Sequence, residues 1–266
     1  MIAGFSFGSY CPGTSLLHRM DPRAKLLLGC AFIAVLLSAQ VPAALAISAL
    51  FVAGFYLVAR IPATKAVQSL APLLAIVIIV AVLNLFTASG GEVLVDWGIL
   101  KIREGGVHAC LFMGVRLTIM MLGMSLITLT TMTNDLTEAL ERLLSPFARF
   151  GLPAHELGMI MGIALRFMPQ FASELATIYH AQVSRGAKLS NSPVRGVRML
   201  SSLMVPLFTS VFRHAETLSS AMDARCYHGG EGRTRLHPLR LSTLDAAATC
   251  AIAVMAGCVI AANLLA

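Results

Sequence analysis

The chain has 266 residues, of which 57% are apolar and only 12% charged, and its mean hydropathy is +0.80. A soluble domain cannot keep that much apolar surface in water, so lipid is its main solvent. The net charge of +7 comes from basic residues that interrupt apolar segments rather than forming a solvated stripe, which excludes nucleic acid as a partner and reads as the flanks of membrane spans.

Arg19, Arg23 and Lys25 precede the first apolar run. They begin too far from Met1, with too many apolar runs behind them, for a cleaved signal peptide, so this run is read as a retained span. Five stretches approach the roughly 17–25 residues needed to cross the hydrocarbon, at about 25–39, 43–59, 70–88, 107–131 and 244–265. The first two are joined only by Gln40-Val41-Pro42 and form a hairpin. Asp21 is placed to cap the free N–H groups of the first helix, and Pro22 suits its first position.

The outer loop at 90–106, GGEVLVDWGILKIREGG, carries a glycine pair at each end and the single tryptophan, Trp97. An interfacial ring and a packing ring are equally good readings of Trp97. With the N-terminus in the cytoplasm, 17 of the 20 Lys and Arg residues fall on the cytoplasmic side, leaving Lys101 and Arg103 outside and Arg116 inside the fourth span. The C-terminus then faces out.

The region from 132 to 240 carries three predicted helices. One is capped by Thr133 or Asn134, bears Asp135 and Glu138 near its positive end, and stops near Ser145-Pro146. A second runs from about Pro153 to Arg185 with a kink expected at Pro169, and a third from about Pro193 to Ala224, interrupted at Pro206. The sequence GGEGRTRLHP is a loop into the last span. These helices are too apolar for a free cytoplasmic domain and too interrupted for clean spans, so they should lie against the inner ends of the spans with a face left for partners. The expected fold is an all-α polytopic membrane protein with about five transmembrane helices and long cytoplasmic helices between spans four and five. Its expected divisions are 1–131, 132–240 and 241–266.

The second and third of these helices end alike, in Ser184-Arg185-Gly186 and Ala224-Arg225-Cys226. No carboxylate stands three or four residues from either arginine, and Asp223 is on the wrong side of the helix from Arg225. Two readings stand side by side. Each arginine is a solvated charge favoured by the helix dipole, or each is a rigid fork for an acidic or carbonyl-lined pocket on a partner.

Other candidates carry less chemistry. The six cysteines, Cys11, Cys30, Cys110, Cys226, Cys250 and Cys258, show no ligand spacing. His180, His214, His228 and His237 lack metal spacing, and Glu174 and Glu216 have no convergent acid or nucleophile. Arg116 must pair with a helix-terminal carbonyl, a carboxylate or a lipid headgroup. Gly158 and Gly162 form a GxxxG pattern that permits close helix contact. Without a convergent acid, nucleophile or metal cluster no enzyme activity and no cofactor is expected of the chain itself, and with no P-loop motif it is not expected to bind ATP that way. Rival readings are a membrane-embedded lipid-modifying enzyme using Arg116 or the loop arginines on an anionic headgroup, or a self-contained secondary transporter, though no internal repeat is visible.

With these residues in place, the chain resembles the transmembrane T component of energy-coupling factor (ECF) transporters, vitamin and transition-metal importers of the ABC class. The resemblance covers nearly the whole chain, through LHRMDPRAKLL (17–27), ILKIREGGVHACLFMGVRL (99–117), LRFMPQFASELATIYHAQVSRGA (165–187) and VPLFTSVFRHAETLSSAMDARCY (205–227). The last two lead into tripeptides like the family's paired Ala-Arg-Gly coupling motif. The resemblance implies a non-catalytic subunit of a prokaryotic cytoplasmic membrane that works with two ABC-type ATPase subunits and a substrate-binding membrane S component. It implies that Arg185 contacts one ATPase and Arg225 the other. Ser184 stands where the family has Ala and Cys226 where it has Gly. A left-handed helix end at Cys226 would carry strain that glycine avoids.

Overall fold

The computed structural model describes residues 10–87, 90, 93–97, 100–151, 153–186, 193–229 and 242–265. The loop predicted at 229–238 beyond Gly229, with His237, lies outside the described residues, as do residues 98–99 and the side chains of Trp97 and Lys101. The chain divides into two units, Gly8–Ala139 with Pro238–Ala266, and Leu140–His237.

The first unit is a helical bundle. Its helices are α1 (Pro22–Ser38), α2 (Pro42–Ala59), α3 (Ala63–Thr87), α4 (Glu104–Thr130) and α8 (Thr243–Leu265), one at each predicted apolar stretch. By length and hydropathy α2, α4 and α8 can each cross a bilayer. A fourth span exists if the two parts of α3, Thr64–Ala71 and Leu73–Thr87, are taken together, since they meet at 64°. The break falls at Pro72, which has no N–H for the helical ladder. With its 17 residues α1 is at the short limit for a crossing helix. Between α3 and α4 two short antiparallel strands, β1 (Val93–Trp97) and β2 (Leu100–Arg103), pair within the predicted outer loop. The architecture is otherwise all-α, a membrane protein built of apolar helices.

The core of this unit lies among α1, α2, α4 and α8, where Leu36, Ala44, Ile119, Met255 and Val259 are buried together. The outward faces, with Leu50, Leu57, Ile79 and Leu111 exposed, match a lipid surround. Helices α1 and α4 approach closely at Gly123, where an added Cβ would sit 2.3 Å from the Phe32 ring. That contact is the reason for a glycine in mid-helix.

Both ends of α1 are tied by charged or amide side chains from α4 and α8. At its start, Asp21 caps the helix by accepting from the Arg23 N–H, as the sequence predicts. The buried Asp245, in the first turn of α8, accepts from the Asp21 N–H at 2.9 Å and the Ser242 N–H at 2.6 Å. The buried Lys25 ammonium donates to the Thr130 carbonyl at 3.0 Å and the Thr131 hydroxyl at 3.2 Å, placing a cation on the negative end of α4. At the far end of α1, Arg116 settles the choice the sequence left open. Its guanidinium donates to the Leu36, Leu37 and Ala39 carbonyls, with the Phe112 ring 5.5 Å beneath it. Asn263 of α8 donates to the Ser38 carbonyl and accepts from the Gln40 N–H. The carbonyls that the helix cannot satisfy internally are therefore covered by protein rather than left to lipid.

In the rest of the chain, α5 (Thr133–Leu144) begins in the first unit and ends in the second. It starts at Thr133, so the capping position falls on Met132 rather than on Thr133 or Asn134. A 3-10 turn, Ser145–Phe150, follows it at the predicted stop, then α6 (Ala154–Ser184) and α7 (Pro193–Ala224). Pro169 and Pro206 both lie inside these helices without ending them.

Removing the Arg116 fork leaves the Leu37 and Ala39 carbonyls without donors and the Leu36 carbonyl with the Ala39 N–H alone. Arg116→Met is expected to lower unfolding stability in detergent by about 2–4 kcal/mol, with Arg116→Lys recovering part of it. Lys25 and the Arg116 contacts lie roughly 16 Å apart along α1, so the Lys25→Met loss should add to that of Arg116→Met within about 0.5 kcal/mol. A denaturation midpoint unchanged in either single variant would overturn this account.

Candidate functional site

In the unit Leu140–His237, α6 and α7 run for 31 and 32 residues and pack against each other. A polar and aromatic clasp joins them midway. Phe167, Gln170, Phe171 and Glu174 share one face of α6, at the i, i+3, i+4, i+7 spacing of a contact stripe. Opposite them, Ser210 and His214 share one face of α7. The His214 ring lies 6.2 Å from Phe167 and 6.1 Å from Phe171, and its Nε2 is 3.2 Å from the Gln170 amide nitrogen and 3.5 Å from a Glu174 oxygen. Ser210 donates to the other Glu174 oxygen.

The sequence left Glu174 and His214 apart, yet they meet. The order is Ser–Glu–His, with the acid in the middle, so His214 does not stand between Ser210 and the carboxylate as an activated nucleophile requires. The arrangement holds two helices in register. Its only sequence signal was the paired spacing on the two helices.

Both helices end in the same geometry. Arg185 is the C-cap of α6, its N–H bonded to the Ala181 carbonyl, and Gly186 follows at φ 90° with its N–H on the Val183 carbonyl. Arg225 follows the last residue of α7, Ala224, and Cys226 comes next at φ 52°. The Cys226 N–H bonds the Asp223 carbonyl at 2.9 Å and the Tyr227 N–H bonds the Met222 carbonyl at 3.1 Å. These two bonds make a complete Schellman end at α7, and the described part of α6 makes its inner bond. Cys226 thus adopts the left-handed conformation without glycine's freedom, at a cost of roughly 1–2 kcal/mol.

Because backbone N–H groups close each helix, neither arginine is needed as a cap. Arg185 and Arg225 are exposed, and neither side chain has a hydrogen bond or ion pair among the described residues. Ser184 is exposed and its hydroxyl bonds back to the His180 carbonyl at 3.0 Å, leaving a small surface beside Arg185. What the two ends offer chemically is a pair of unshared guanidinium forks, each carried on a fixed backbone end with small neighbours.

Exposed apolar residues lie farther back along the same helices, Leu157, Ile160 and Met161 near the start of α6 and Val205, Phe208 and Phe212 near the middle of α7. Of the GxxxG pair, Gly158 meets the Glu141 side chain and Gly162 faces open space. Arg116 belongs to the other unit and is engaged by carbonyls, so it is not presented to a headgroup. No cluster of three or more His, Cys, Asp or Glu suited to a metal ion occurs among the described residues. The pocket among α1, α2, α4 and α8 is lined by Phe32, Val52, Phe55, Leu126 and Ile252, with Lys25 already bonded at its edge.

Comparison with known proteins accords with this arrangement. The family described as cobalt transport protein, CbiQ, matches residues 13–236. A protein of Thermosediminibacter oceani named energy-coupling factor transporter transmembrane protein EcfT is 42% identical over 252 residues, covering 94% of this chain and 95% of the relative. Proteins of the same name from Brevibacillus brevis and Bacillus subtilis are 41% and 36% identical, covering 92% and 96% of this chain and 93% and 97% of theirs. With likeness running through the bundle and the paired helices alike, the chain belongs to the CbiQ/EcfT family of energy-coupling factor transporter transmembrane components.

Proposed function

We propose that the chain couples ATP-driven motion of two ABC-type ATPase subunits to a separate substrate-binding S component, for uptake of a vitamin or a transition-metal ion. Arg185 enters one ATPase and Arg225 the other. The exposed apolar stripes of α6 and α7 hold the S component. In this reading the N-terminus and the helices α5 to α7 are cytoplasmic, the C-terminus is outside, and ATP is hydrolysed by the partners.

The observation that carries this reading is the duplicated helix end. Two long helices, clasped together, each terminate in an exposed arginine released from capping by a left-handed residue behind it. A solvated charge needs none of that fixed geometry. A docking fork gains from it, because a fixed backbone end sets where the arginine starts and lowers the entropy lost on binding.

Affinity purification of the chain in mild detergent should bring down two ATPase subunits and a small membrane protein. In the Arg185→Ala/Arg225→Ala variant the ATPases should fall roughly tenfold or more, since losing a desolvated charge contact costs on the order of 2–5 kcal/mol. Equal recovery from wild type and variant would mean that the arginines are solvated charges. A second expectation concerns Cys226. Cys226→Gly should slow amide exchange at Tyr227 about fivefold by relieving on the order of 1 kcal/mol of strain, and Cys226→Val should speed it. Exchange that ignores both substitutions would rule out the left-handed end.

A further inference from the structure

The turn between α5 and α6 is built to present two aromatic rings. Phe147 and Phe150 in Ser145–Phe150 are 53% and 87% exposed, with ring centroids 6.5 Å apart. Rings as open as these are costly in water, and two together on one short turn form a wedge. Arg149 stands between them in sequence and Arg142 one turn before, both exposed and neither with an ion pair among the described residues. The nearest carboxylate in sequence, Glu141, is turned to His155 at 3.1 Å.

The neck of the turn is pinned. Glu141 near the end of α5 holds His155 at the start of α6, and the approach is close enough that a Cβ at Gly158 would sit 2.4 Å from the Glu141 side chain. The rings are therefore held out rather than swinging on a loose loop. The chain leaves the apolar helix α4 at Thr130, and the intervening α5 is 12 residues, about 18 Å, long. A connection of that length lets the turn reach the membrane surface. Aromatic rings beside unpaired arginines match the two layers of a membrane interface, with acyl chains for the rings and phosphodiesters for the guanidinium groups.

We propose that this turn is an interfacial foot, with Phe147 and Phe150 inserted into the leaflet on the side of the paired helices and Arg142 and Arg149 bound to anionic phospholipid headgroups. The foot fixes where the α5–α6 junction rides on the membrane, independently of any contact at Arg185 or Arg225.

The test uses the full chain in nanodiscs with Phe150→Trp in a Trp97→Phe background, leaving one indole. Phe147→Trp in the same background is a parallel reporter. With acyl chains brominated in a phosphatidylglycerol and phosphatidylcholine mixture, the indole should emit to the blue of its value in water and be quenched at least about twofold. Arg142→Gln/Arg149→Gln, or phosphatidylcholine alone, should weaken that quenching, while Arg185→Ala/Arg225→Ala should leave it unchanged. Emission at the aqueous wavelength, open to acrylamide and indifferent to bromine, would overturn the proposal. So would a blue shift that appears only when the co-purifying partner proteins are present and that brominated lipid does not quench, because the wedge would then be a protein contact.

Discussion

A helix end inside or beside a bilayer leaves carbonyl and N–H groups that lipid cannot satisfy, and this constraint organises the bundle. Helix α1 is short, so both of its ends meet it directly. At one end Lys25, Asp21 and Asp245 link the start of α1, the end of α4 and the start of α8. At the other, Arg116 and Asn263 cover the carbonyls from Leu36 to Ala39. The charges sit where helix dipoles favour them, the cations on carbonyl ends and Asp245 at a helix start. The polar groups thus serve as struts, and apolar contacts at Phe32, Ile119 and Met255 fill the space between.

The paired helices meet the same constraint and resolve it differently. Their last carbonyls are taken by backbone N–H groups folded back through Gly186 and Cys226. Arg116 must serve as a cap, whereas Arg185 and Arg225 are free of that duty. In the proposed coupling role the distinction matters, since a fork already bonded to its own helix would have to break those bonds to dock. The Cys226 strain is the cost of keeping that geometry where glycine is absent.

The sequence made the apolar helices, the Asp21 cap, the two long amphipathic helices and their matching ends legible, because these follow from hydropathy, local capping chemistry and periodicity over a few residues. Other features were hidden for identifiable reasons. Lys25 bonds a carbonyl 105 residues away, and Asp245 bonds an N–H 224 residues away. Arg116 bonds only backbone carbonyls, which have no residue signature, so the sequence could say that it needs a partner and not which. Glu174 and His214 looked isolated because their meeting depends on the register of α6 against α7. The bend of α3 had its signal in Pro72, which the apolar run around it masked.

In the proposed coupling role the paired helices act as a lever, and a lever transmits motion only if it is stiff. Helices of 31 and 32 residues extend about 46–48 Å, and at that length two separate helices would bend. The clasp at Phe167, Glu174, Ser210 and His214 ties them near their middles, so a displacement at either arginine must move both. The struts at the two ends of α1 tie the bundle's helices to one another. The division of labour is thus set by where polar groups are satisfied. The bundle uses its buried charges to hold itself together, and the paired helices leave their terminal charges unshared, as the proposed docking role requires.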